Sequence, residues 1–150
     1  MVGFRQWCGA LAVIVATSAP VMAQAPSAAG HIKTASGAAF IVRDSLATPA
    51  HPGDALFATD ALRTGVDGTV GVTLVDDTRL SLGPGSEVRL ERYVFAPGEG
   101  GLGMVLNFVR GVAAYVSGRM AKLAPDAIRL ETPAAIVGVR GTTVAVRVGP

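Results

Sequence analysis

Apolar residues in this chain recur at every second position and nowhere sustain a long helical stripe. Val70, Val72 and Leu74 alternate with Thr69, Gly71 and Thr73, and Leu80 and Leu82 alternate with Arg79 and Ser81. Val88 and Leu90 follow against Glu87, Arg89 and Glu91. Successive side chains of an extended chain point to opposite faces, so each run reads as a strand with one apolar and one polar face. Asp76-Asp77 between the first two runs gives a hairpin, and Gly83-Pro84-Gly85-Ser86 closes the second. No stretch keeps a 3.6-residue apolar period for more than two turns.

The rest of the chain fits the same plan. Phe40 to Val42, Met104 to Val109, Val112 to Val116, Ile128 and Leu130, Ile136 to Val139, and Val144, Val146 and Val148 supply further strands. Met104 to Val109 is apolar at every position but Asn107 and reads as a strand buried on both faces. Phe95 to Gly103 and Ser117 to Ala127 read as loops, and Gly111 as a turn. Half of the residues are apolar and 16% are charged, enough for a packed core, while 19 glycines and 9 prolines mark frequent turns. The expected fold is all-β, a sandwich or rolled sheet of about nine or ten short strands in one domain, its strand order left open.

Residues 1–23 have the layout of a secretory leader: Arg5, then the apolar run Cys8 to Ala16, then Ser18, Pro20 and the small-residue site ending at Ala23. Cleavage is expected after Ala23, with Ala25 as the second choice. Thr17, Ser18 and Pro20 cut the apolar run short of the ~20 residues of a membrane-spanning helix. Arg5-Gln6-Trp7 before Cys8 does not make a lipoprotein site. The expectation is therefore a periplasmic protein without a membrane span after cleavage. The only cysteine, Cys8, and the only tryptophan, Trp7, leave with the leader. Residues 24–37, rich in Ala, Ser and Gly, read as a flexible lead-in with room for a first strand at His31 to Thr34, and 38–150 as the β domain.

Little in the chain suggests catalysis. His31 and His51 are the only histidines, one in the lead-in and one beside Pro52 in a turn, and they do not give a positioned base or a zinc site. Adjacent carboxylates on extended chain diverge, so Asp76 and Asp77 read as turn residues rather than an acid–base dyad. The glycine-rich stretches 83–86 and 98–103 do not open helices and so are not phosphate cradles. Arg and Lys are scattered singly among Asp and Glu, without the stripe that nucleic acid requires. No cofactor and no metal is expected, and the chain is not expected to be an enzyme.

Specific residues carry a resemblance. Gly53-Asp54, Leu62-Arg63-Thr64-Gly65, Gly71-Val72-Thr73-Leu74 and Asp77-Thr78-Arg79-Leu80-Ser81-Leu82-Gly83-Pro84 occur in the order found in the FecR domain family. Leu106 to Val112, Glu131-Thr132-Pro133-Ala134-Ala135 and Val139-Arg140-Gly141-Thr142 extend the match, which spans Ser36 to Val148. The chain resembles that family, which implies an all-β periplasmic domain. In founding members it belongs to a sigma-factor regulator that senses an outer-membrane transporter and relays an iron-uptake signal inward. Those regulators have a cytoplasmic segment and a span where this chain has a leader, so a free-standing exported form is expected.

The expected function is protein interaction or signalling with an envelope protein partner, with self-association through an unpaired sheet edge as a further possibility. The alternative is a cell-wall or glycan-binding module using Tyr93 and Tyr115. Candidate binding residues are Asp76, Asp77, Arg140, Gly141 and Thr142, with Arg140 expected to pair with a carboxylate such as Asp77.

Overall fold

The computed structural model describes residues 3, 14, 16–22, 25–139 and 143–149. Among the described residues, twelve strands form a single curled, half-barrel sheet: β1 (Gly30–Ser36), β2 (Ala39–Arg43), β3 (Leu46–Pro49), β4 (Ala55–Leu56), β5 (Ala61–Thr64), β6 (Thr69–Leu74), β7 (Arg79–Leu82), β8 (Glu87–Ala96), β9 (Gly101–Val116), β10 (Ile128–Glu131), β11 (Ile136–Gly138) and β12 (Thr143–Val148). The order β3-β2-β5-β8-β9-β7-β6-β1-β4 gives the path of the sheet, with β10, β11 and β12 branching from β9. Of the two arrangements left open by the sequence, this is the rolled sheet. The count exceeds nine or ten because strands as short as the two residues of β4 leave no periodic signature.

The long strand β9 organises the sheet. Its first part pairs antiparallel with β8 and parallel with β10, and its second part pairs with β7 and β12. Two limbs of sheet thus share one strand and face each other across a single core. Ile32, Leu74 and Leu80 from one limb meet Leu62, Val88 and Leu106 from the other. The interior is filled, leaving a cavity of about 10 Å³ between Leu56, Leu62, Leu80 and Leu106. A space of that size is at or below the limit for one water molecule and far too small for a ligand.

Gly111 is a kink inside β9 rather than a turn between two strands. Its φ of +86° is open to glycine but strained for other residues, and a Cβ there would lie 2.5 Å from Ser86 Cα. The Ser86 hydroxyl accepts from the Val112 N–H and donates to the Val112 carbonyl, both at 2.9 Å. This bridge closes the ladder where the chain steps from β7 to β8.

Other local expectations are corrected. Phe95 to Gly103 is not a nine-residue loop: β8 continues to Ala96, one 3-10 turn covers Pro97–Glu99, and β9 starts at Gly101. Cross-strand pairing of Phe95 with Leu102 and Ala96 with Gly101 overrides the turn-rich composition. Ser117 to Ala127 carries a short helix, α1 (Arg119–Leu123), and a 3-10 turn at Pro125–Ala127, because Met120 is wholly buried and pins the segment to the core. Met104 to Val109 buries only Met104, Leu106 and Phe108, while Val105, Asn107 and Val109 remain half-buried on the outer face. Within the segment read as lead-in, β1 is fully built: it pairs with β6 and β4, and Ala29 and Ile32 lie in the core.

Candidate interaction site

The Val75–Thr78 turn between β6 and β7 illustrates how this chain uses its charges. Asp77 takes a positive φ of 68°, which reverses the chain and sends the two carboxylates apart. Asp76 turns inward and is fully buried. Its carboxylate accepts from the Thr78 hydroxyl at 2.7 Å, the Tyr93 phenol at 2.9 Å, and the backbone N–H groups of Met120 and Thr78 at 3.2 and 3.3 Å. Four donors from three elements offset the cost of removing the charge from water. Burial, then the neighbouring Asp76 charge, pushes the Tyr93 phenol well above its ordinary range.

Asp77 points outward, 74% exposed, and pairs with Arg119 at 3.2 Å. Arg119 also donates to the Val75 carbonyl and lies 5.1 Å from the Phe95 ring centre. The partner of Asp77 is thus on α1. Arg140, Gly141 and Thr142, with the expected Arg140 pairing, lie outside the described residues. Of the five candidate residues, the structure brings Asp76 and Asp77 together with Tyr93, Thr78, Arg119 and Met120 as a clamp that ties the turn to β8 and α1. The turn is legible in the local sequence, whereas its long-range partners are not.

Two more charged groups have no local signature in the sequence. Asp60, 1% exposed, receives a two-pronged grip from Arg43, Nε at 2.8 Å and an Nη at 2.7 Å, and the Phe57 N–H at 2.8 Å. Arg43 in turn covers the Phe57 ring at 4.7 Å. Glu87 sits between Arg63 at 3.4 Å and Arg110 at 3.6 Å on the outer face of the β5–β8–β9 limb. A cross-strand ladder, Arg63 opposite Glu87 and Glu87 opposite Arg110, is the signal in register that a linear reading misses.

Among the described residues the aromatic side chains are committed to the core or to charged partners rather than gathered as a stacking platform. Tyr115 is wholly buried and the Tyr93 hydroxyl is committed to Asp76. Phe57 and Phe95 are each covered by an arginine. His51 is exposed in its turn and its N–H donates to Asp54. Among the described residues no three His, Cys, Asp or Glu side chains gather as metal ligands, and no helix is long and apolar enough to cross a membrane.

What the fold presents outward is strand edge. β3, β4, β11 and β12 each pair on one side only among the described residues. β12 is the longest of them and lies beside the second part of β9, with Val144, Val146 and Val148 turned to the core and Thr143, Ala145 and Arg147 turned out. An edge of this kind is where a second chain adds a strand.

Residues 60–150 match the family described as FecR protein. No curated protein and no solved structure matches the chain. The matched segment covers most of the half-barrel, from Asp60 of the Arg43 grip through the Asp76 clamp, β9 and β12. The chain belongs to the FecR protein family, a family of regulatory signalling proteins associated with the cell envelope.

Proposed function

We propose that this protein is exported to the periplasm and acts there as a non-catalytic signalling module, through contact with an envelope protein partner. The observation that carries this reading is the use made of its buried carboxylates. Asp60 and Asp76 are hydrogen-bonded to arginine, hydroxyl or backbone donors, and Glu87 is ion-paired with Arg63 and Arg110, contacts that hold strands together. Reactive carboxylates are kept poised and accessible in a cleft; these are consumed by the fold. The filled half-barrel leaves the sheet edges and outer faces as the means of recognition. The leader-like residues 1–23 and the family membership support the envelope location.

The test is crosslinking in living cells with a tagged full chain, followed by pull-down and identification by mass spectrometry. N-terminal sequencing of the recovered chain accompanies it, with Gln24 expected first, or Pro26 for the second cleavage site. Recovery of one envelope protein in repeated experiments supports the reading. An intact leader on a cytoplasmic chain, or no protein other than the bait, overturns it.

A further inference from the structure

We infer that β12 pairs edge to edge with β12 of a second copy, joining two half-barrels into one continuous sheet. The inference goes beyond the envelope-partner reading and does not depend on it, since it concerns purified copies of this chain alone.

The four single-sided strands differ in how they are protected. β4 has two residues and β11 three, too short to template an added strand. β3 enters from two positive-φ residues, Asp44 and Ser45, and ends in Pro49, which cannot donate to a ladder. β12 has none of these devices. Its six residues contain no proline and no inward charge, and they pair with β9 without a register shift. Natural edges are commonly blunted by such features, so a long, regular edge lacking them is suited to pairing.

The sequence of β12 also fits itself. Antiparallel partners share a face, so a two-fold pair must be centred on a residue to keep valines with valines. Centred on Val146, Val144 faces Val148 and Ala145 faces Arg147. Centred on Ala145, Val144 faces Val146 and Thr143 faces Arg147. Both registers continue the apolar inner face across the junction and keep the strand's only charge, Arg147, away from its own copy. The register centred on Arg147 would oppose like charges and is disfavoured. Val144, Val146 and Val148 are only half-buried against the core, so a second copy's valines would cover them further.

Ala145 provides the test because it is exposed, faces outward and can change without entering the core. In either register Ala145→Arg sets arginine opposite arginine. Ala145→Glu sets glutamate opposite Arg147 in the first register and opposite itself in the second. Sedimentation equilibrium of the purified full chain is expected to show a reversible dimer, with Ala145→Arg raising its dissociation constant about tenfold. Ala145→Glu is expected to tighten the dimer in the first register and loosen it in the second; either change supports pairing through β12. Circular dichroism of each variant checks that the monomer remains folded. A wild-type chain that stays monomeric up to about 100 µM, or a folded Ala145→Arg variant that dimerises as well as wild type, overturns the inference.

Discussion

Tyr93 on β8 and Asp76 in the β6–β7 turn hold each other through two opposed hydrogen bonds. The phenol donates to Asp76 Oδ1 at 2.9 Å, and the Asp76 N–H donates back to the phenolic oxygen at 3.2 Å. Seventeen residues separate them, and the contact fastens a hairpin turn of one limb to a strand of the other. The clamp is therefore a joint of the half-barrel rather than an ornament of one turn.

Tyr93→Phe keeps the ring and removes both bonds, leaving a buried carboxylate one donor short and a backbone N–H without its acceptor. The expected loss is about 1–3 kcal/mol. Urea unfolding followed by circular dichroism is expected to show a lower midpoint with an unchanged slope. A midpoint equal to wild type would show that the clamp contributes nothing to stability.

The same pair gives the domain an alkaline weakness. Burial raises the Tyr93 phenol above its ordinary 10.0, with the Asp76 charge adding to the effect, and burial raises Tyr115 as well. A raised acid holds its proton more tightly in the folded state than in the unfolded state. Its contribution is complete below the unfolded value and is lost as pH rises above it, since the unfolded chain ionises first. Urea midpoints are expected to fall steeply above about pH 10, and less steeply in Tyr93→Phe. Parallel slopes in the two proteins would rule out Tyr93 as a source of the effect.

How far the sequence anticipates this arrangement depends on the range of the interaction. The hairpin of β6 and β7 is legible because its alternation, Val70 to Leu74 and Leu80 to Leu82, is local and one face is buried. The resemblance carried by the segments around Thr64, Thr78 and Thr132 is legible for the same reason, being a matter of neighbours in order. The clamp is not, because Asp76 looks like any turn aspartate until Tyr93 and Met120 arrive from elsewhere in the chain. Gly111 looks like a turn because composition cannot distinguish a glycine that ends a strand from one that kinks it. Helix α1 is five residues long, too short to show a period, and is held by the burial of Met120.

The grip of Arg43 on Asp60 gives a third prediction. Arg43 is 45% exposed along its side chain while Asp60 is buried, so the pair is partly screened from the penalty of a fully interior ion pair. Arg43→Ala is expected to cost about 1–3 kcal/mol, through the orphaned carboxylate and the uncovered Phe57 ring. Arg43→Lys is expected to recover less than half, because one ammonium cannot make the two-pronged contact or stack flat on the ring. Equal stability of the lysine variant and wild type would count against the forked geometry.

The kink at Gly111 is testable against an internal control. Gly111 and Gly53 both hold positive φ, +86° and +94°. At Gly53 an added methyl group meets open space, so alanine there bears only the backbone strain, about 1–2 kcal/mol. At Gly111 the same strain is present and the methyl group also drives into Ser86, whose hydroxyl bridges both polar groups of Val112. Gly111→Ala is therefore expected to cost about 2–3 kcal/mol more than Gly53→Ala, through displaced backbone and a broken bridge. The comparison of urea midpoints cancels the shared strain and isolates the contact. Equal losses at the two sites would mean that β9 bends without help from the Ser86 contact, and the two limbs would then owe their common strand to pairing alone.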